Sequence, residues 1–237
     1  MGAGGRLGSA IADELESRGA TLVLADGDAA SLESARGGPA LAVPTDLRDQ
    51  AEVDALVHEA IETFGGVDAV VNAAGSEGPV VPTEDISADD LAELYDVNVF
   101  GPFRLLKAVL PHFKERRQGR IVNVASGTGL AGSEYMTAYS SSKHALIGLT
   151  RSLAREVARY GISANAVCPG CVESPMMERI ERDLAGITGV TASFVDAVPA
   201  GRYATPGEVA GLVTFLALDA PAYLTGTALV IDGGLRA

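Results

Sequence analysis

Positive charge is scarce in this sequence. Its 18 Lys and Arg stand against 31 Asp and Glu, leaving a formal charge of −13. A surface of that sign excludes nucleic acid and anionic membrane as natural partners, and its simplest meaning is solubility. Cysteine is nearly absent: Cys168 and Cys171 alone cannot build a disulfide framework. Of three histidines, His58 and His112 read as helix-surface residues, and His144 follows Lys143 on another helix face. None falls in a ligand pair, so no metal site is expected. No apolar run reaches the ~18 residues of a membrane span. The opening Met-Gly-Ala-Gly-Gly-Arg lacks the basic start and apolar stretch of a signal peptide. The expected location is the cytoplasm.

The chain does have material for a core: 237 residues, 47% of them hydrophobic, enough for one sizeable domain spanning 1–237. Apolar runs of strand length fall at Thr21–Ala25, Ala40–Pro44, Val67–Asn72, Arg120–Ala125, Ile162–Cys168 and Ala228–Ile231. Between them, residues recur at helical spacing, as in Leu7, Ile11 and Leu15, then Val53, Leu56, Val57, Ala60, Ile61 and Phe64. The stretches Ala88–Arg117 and Ala138–Tyr160 read as long helices. Continuous rather than alternating strands imply a parallel sheet covered on both faces, and the overall alternation implies a doubly wound α/β fold. Residues 176–202 are the least regular stretch and are expected to form either a lid over a substrate or a plain surface excursion.

Gly2-Ala3-Gly4-Gly5-Arg6-Leu7-Gly8 opens the first helix. Glycines there let backbone approach a pyrophosphate, and the helix N-terminus offers unpaired N–H groups. Asp26 follows Gly8 by eighteen residues at the end of the next strand, where such folds hold an adenosine ribose. By itself a strand-end Asp is more often a helix cap. A strand should precede this loop, and only Met1 does. Its neighbours would then lose ladder partners on both sides, at ~1–3 kcal/mol per unpaired buried group. The sequence is therefore expected to begin at an internal methionine, with about ten further residues in the native chain.

A buried strand ends in Ser126, and thirteen residues later comes Tyr139-Ser140-Ser141-Ser142-Lys143. Tyr139 and Lys143, four apart on a helix, share a face. Tyrosine titrates near ~10, too high for a base at neutral pH, and a neighbouring ammonium favours the phenolate. Such a tyrosine can exchange a proton with an alcohol oxygen while hydride moves to or from a nicotinamide. A strand-end serine can hydrogen-bond the same oxygen.

With Asn72-Ala73-Ala74-Gly75, Asn98 in Asp96-Val97-Asn98-Val99-Phe100-Gly101, and Pro169-Gly170, these elements make the chain resemble a classical short-chain dehydrogenase/reductase over its whole length. The resemblance implies a Rossmann-like fold with a mainly parallel seven-stranded sheet, one strand of it missing here. It implies Tyr139 as general acid/base, Ser126 polarising the carbonyl, and Lys143 lowering the tyrosine pKa and binding the nicotinamide ribose. Asn98 would hold a water that leads protons to solvent, or else only kink its helix. The expected cofactor contacts are Gly2, Arg6, Leu7, Gly8, Asp26, Asp46, Leu47, Asn72, Ala73, Gly75, Tyr139, Lys143, Pro169, Gly170, Val172 and Ser174. Asp46 would lie beside the adenine, or be simply an N-cap. Val172 and Ser174 would bond the carboxamide.

The family loop reads Thr-Gly-x-x-x-Gly-x-Gly, so Met1 and Arg6 depart from it, and Arg6 stands where backbone approach should be tight. Asp26 would accept the 2′-hydroxyl of NAD and repel the phosphate of NADP, whereas Arg6 could attract that phosphate. NAD is expected, with NADP second. Cys168-Pro169-Gly170-Cys171 mimics a redox Cys-x-x-Cys but overlaps the Pro-Gly turn; Cys168 should be core, and Cys171 could be open to alkylation. Relatives assemble as dyad-related oligomers, which implies a homotetramer or homodimer. Three functions compete: a dehydrogenase of a small hydroxy or keto compound, a reductase of carrier-bound 3-oxoacyl thioesters, and a catalytically silent nucleotide-binding protein. The segments 198–202 and 206–210 resemble the second, while Asp26 and the acidic charge oppose it.

Overall fold

The computed structural model describes residues 1–34, 41–191 and 193–237. Among the described residues six parallel strands form: β1 (Val23–Asp26), β2 (Leu41–Pro44), β3 (Ala69–Asn72), β4 (Gly119–Val124), β5 (Ile162–Pro169) and β6 (Ala228–Ile231). Each lies within two residues of its expected run, although Ala40, included in the second, lies outside the described residues. β5 is buried along all eight residues. Its two polar members do not break it: the Asn165 amide donates to the Leu224 carbonyl at 2.8 Å and accepts from the Thr227 N–H.

The described residues form eight α-helices that cover the faces: α1 (Arg6–Ser17), α2 (Ala29–Ser34), α3 (Gln50–Phe64), α4 (Ala88–Tyr95), α5 (Gly101–Arg116), α6 (Thr137–Val157), α7 (Pro175–Thr188) and α8 (Pro206–Thr214). Local signals start and stop them. Ser87 with Asp90, and Thr205 with Glu208, form capping boxes on α4 and α8. Asp49 caps α3, which ends on left-handed Gly65. Leu105, Val109 and Phe113 of α5 pack on one face of the sheet with Val157 of α6. Ile11 of α1 packs on the other with Val209 and Val213 of α8. The expected helix 88–117 is interrupted by a π-helical turn, Asp96–Phe100, between α4 and α5. The stretch 176–202 is more regular than expected, because α7 occupies its first half and buries Ile180 and Leu184. His112 also departs from the surface reading: its Nε2 accepts the Val67 N–H at 3.1 Å, fixing the approach to β3.

The strands fall into two sheets, β1-β2 and β3-β4-β5-β6. Between β1 and β3 lies a cavity of about 570 Å³, bordered by Val23–Ala25 on one side and Ala69–Val71 on the other. Only its end is bridged. The Met1 amine donates to the Val71 carbonyl at 3.0 Å, Ala73 N–H donates to the Met1 carbonyl, and Ala3 N–H donates to the Ala25 carbonyl. One extended segment thus touches both strands, so the gap is one strand wide.

Candidate active site

The carboxyl ends of the parallel strands gather the predicted residues on one edge, where doubly wound sheets bind ligands. Asp26 ends β1, Asn72 ends β3, Ser126 follows β4, and Pro169 ends β5 with Gly170 just beyond it.

The glycine loop is built by steric necessity. Gly2 has φ +77°, and a Cβ there would lie 2.5 Å from the Ala74 nitrogen. At Gly8 a Cβ would meet the Gly2 carbonyl oxygen at 1.8 Å. Arg6 does not crowd this turn, contrary to expectation: it is the first residue of α1 and is exposed. Gly5 caps α1 without a side chain, so the first amides of the helix have no capping partner. The Asp26 carboxylate sits against this loop, accepting from Gly4 N–H at 3.0 Å and Asp28 N–H at 3.1 Å. A tight uncapped helix start beside a ribose-type acid fits a dinucleotide. Asn72 carries both amide atoms buried without a hydrogen-bond partner among the described residues, and Ala73 is held to Met1.

Two of the expected nucleotide contacts turn their side chains elsewhere. Leu47 is buried in the α5 core, and Leu7 packs against the α1/α8 cluster, which leaves only their backbones for a cofactor. Asp46 is not an N-cap, since Asp49 performs that role. The Asp46 carboxylate instead accepts from the Arg48 backbone at 2.9 Å and pairs with its guanidinium at 2.7 Å, which holds its pKa below the usual range. Val172 bridges to Ala204. The Ser174 hydroxyl caps α7, accepting from Met177 N–H and donating to the Val172 carbonyl at 3.2 Å. Gly170 N–H donates to the Ile231 carbonyl, fixing the turn after β5.

At the chemical centre, Tyr139 and Lys143 occupy one buried face of α6. Lys143 Nζ lies 5.6 Å from the Tyr139 ring centroid and donates to the Val124 carbonyl at 3.1 Å, tying the helix to the end of β4. Ser126 stands beside the Tyr139 phenol and pulls its pKa down, and its Oγ accepts from Thr128 N–H and Thr128 Oγ1. Gly75 closes the other side: a Cβ there would stand 3.1 Å from Lys143 Nζ and 3.3 Å from Asn98 Oδ1.

The electrostatics correct one expectation. Tyr139 is not lowered toward neutrality: burial pushes it up to about 12, outweighing the downward pull of the Ser126 hydroxyl. The same burial depresses Lys143 to about 8. Desolvation, which disfavours whichever form is charged, dominates both groups. Asn98, wholly buried in the π-helical turn, spends its side chain on structure. Its Oδ1 accepts Ser76 N–H at 2.9 Å, and its Nδ2 donates to the Ser76 carbonyl and to Ser142 Oγ at 3.0 Å. Cys168 is buried and free. Cys171 is also free, with its thiol pushed up to about 11 by burial, so the anticipated ease of alkylation does not follow.

Sequence reasoning gave no individual role to Thr128, Ser142 or Glu77. Thr128 and Ser142 are hydroxyls with no sequence signal, and become visible only once Ser126 and Asn98 are placed. Glu77 is a loop acid that pairs with Arg179 of α7.

Known proteins resemble this chain over nearly its whole length. Residues 2–236 match the family model described as Enoyl-(Acyl carrier protein) reductase. Levodione reductase of Leifsonia aquatica is 37% identical, over 100% of this chain and 92% of that protein. The structure of NAD+-bound xylitol dehydrogenase superposes with TM-score 0.95 at 35% identity, covering 98% of this chain and 96% of the other. That of ElxO with NADP bound gives 0.88 at 27%, covering 98% and 94%. By its matched family model and its relatives, the chain belongs to the classical short-chain dehydrogenase/reductase family.

Proposed function

We propose that this chain is a cytoplasmic, NAD-preferring oxidoreductase that interconverts a secondary alcohol and a ketone of modest size. Oxidoreductase chemistry on that bond follows from family membership, and the preference for NAD rests on Asp26. The observation that carries the reaction is the buried Ser126–Tyr139–Lys143 arrangement. When bound, the nicotinamide supplies or accepts the hydride. Ser126 holds the substrate oxygen, and Tyr139, neutral at pH 7, donates its proton to that oxygen during ketone reduction. Lys143 stands close enough for its ammonium to stabilise the phenolate left behind. Val172 and Ser174, with Pro169 and Gly170, would border the nicotinamide end; Gly2, Arg6, Gly8, Asp26 and Asp46 the adenosine end.

Support for NAD is the Asp26 carboxylate at the loop, whose charge opposes a 2′-phosphate. The exposed Arg6 supports NADP, but it lies on the helix start rather than at the strand end. Comparing kcat/KM for NADH and NADPH is the test; a ratio in favour of NADPH overturns this assignment. We take 1–237 as one catalytic domain, with 176–202 as its substrate-side lid. Two free thiols suit a reducing compartment. Phe100 and Phe103 are 50% and 51% exposed at the start of α5, an apolar pair suited to burial in a homodimer or homotetramer. Light scattering that finds only monomer would refute the assembly. The thioester-reductase alternative retains the description of the matched family model, and turnover of 3-oxoacyl thioesters far above simple ketones would favour it.

A further inference from the structure

Loop 76–83 and helix α7 face each other beside Tyr139. The loop is fixed at its start by Asn98, which grips Ser76 at both backbone groups. Further along, Val81 N–H donates to the Tyr135 carbonyl at 3.0 Å, and Thr83 and Thr137 hydroxyls meet at 2.7 Å. From the opposite side, α7 packs Ile180 and Leu184 into a cluster with Val80, Met136 and Tyr139. Across the two runs one ion pair: Arg179 Nε donates to Glu77 Oε1 at 2.5 Å.

The two partners are unequally placed. The Arg179 side chain is 45% exposed and the Glu77 side chain only 13%. Glu77 is thus turned inward, and its charge is felt at the Tyr139 phenol. Oε2 of Glu77 has no hydrogen bond among the described residues. Glu181, two positions beyond Arg179, is by contrast engaged by the Tyr203 hydroxyl. An inward carboxylate with one oxygen committed to a cation and one open is an acceptor for a hydroxyl, and it repels an anion.

We infer that Glu77 determines substrate specificity by accepting a hydrogen bond from a second hydroxyl of the substrate, so that neutral hydroxyketones and diols are preferred over simple ketones and over anionic ones. Arg179 is the positioning residue that holds the carboxylate in place. This inference rests on the alcohol/ketone reading and adds the substrate class to it. A site built around a hydrogen-bonding partner discriminates strongly against analogues that lack it.

The test compares 2-hydroxycyclohexanone, cyclohexanone and 4-oxocyclohexanecarboxylate as substrates with NADH, in wild type and Glu77→Gln. Wild type is expected to favour the hydroxyketone over cyclohexanone by about tenfold or more in kcat/KM. Glu77→Gln should bring that ratio toward one and raise the relative rate on the carboxylate. A purely structural role would lower all three rates together and leave the ratios unchanged, and that result overturns the inference. Thermal shift with 1,2-cyclohexanediol against cyclohexanol, in the presence of NAD, reads the same preference without turnover. If wild type reduces no ketone, the alcohol/ketone reading fails separately. Diol-selective stabilisation lost in Glu77→Gln would still sustain the recognition role, and its absence would end it.

Discussion

Tyr139 and Lys143 are buried together, and burial moves their proton affinities in opposite directions. At pH 7 the phenol, held near 12, is the proton donor that ketone reduction needs. Lys143, near 8, loses its ammonium as pH rises through that value, while the phenol stays protonated. Reduction should therefore be fastest below about pH 8 and fall above it, as a pH profile of kcat would show; a profile rising from pH 7 to 9 contradicts this sign. Tyr139→Phe should cost on the order of 10²–10⁴ in kcat while cofactor-induced thermal stabilisation persists. The identities of these residues were legible in the sequence because spacing alone puts Tyr139 and Lys143 on one face. Their proton affinities were not. Those depend on how much water the surrounding fold removes, and spacing carries no such information.

Among the elements, the π-helical turn between α4 and α5 does the most connecting. It carries Asn98 into a buried position where one side chain joins loop 76–83 to α6. Asn98→Ala would leave Ser76 N–H and its carbonyl unpaired, at about 1–3 kcal/mol for each buried group. We expect Tm to fall by roughly 5–10 °C, and thermal denaturation measures it. Removing a side chain that served only bound water would leave Tm nearly unchanged. The glycine turn is equally intolerant. Gly8→Ala places a methyl against the Gly2 carbonyl, and cofactor titration should show binding lost or weakened by at least about tenfold. Helices, strands and Asp26 could be read from periodicity and turn residues. The break at 96–100 was hinted at only by the alternative that Asn98 kinks its helix, because the apolar pattern of 88–117 continues through it. Helix α7 could not be read in that way, since its start depends on the Ser174 hydroxyl acting as a cap.

At the scale of the whole molecule, the parallel sheet is divided. The sequence-based expectation that β1 and β3 would lack a shared neighbour corresponds to a cavity bordered by both. An apolar segment of about six residues fused ahead of Met1 would run along both edges and pair their free backbone groups. Such a chimera should melt at least about 5 °C higher than the 237-residue chain. An unchanged melting temperature would show that those backbone groups are already satisfied. Over the gap itself helices bring the two halves together, with Leu56 and Val57 of α3 lining the same cavity as Leu105 and Val109 of α5.

That division assigns the nucleotide loop a mechanical duty. Residues 1–3 are the seam along which the adenosine half and the catalytic half are stitched, and the same few peptide groups lie where a pyrophosphate would be gripped. Whatever clasps the loop also splices the two slabs, so ligand affinity and resistance to shearing should rise and fall together.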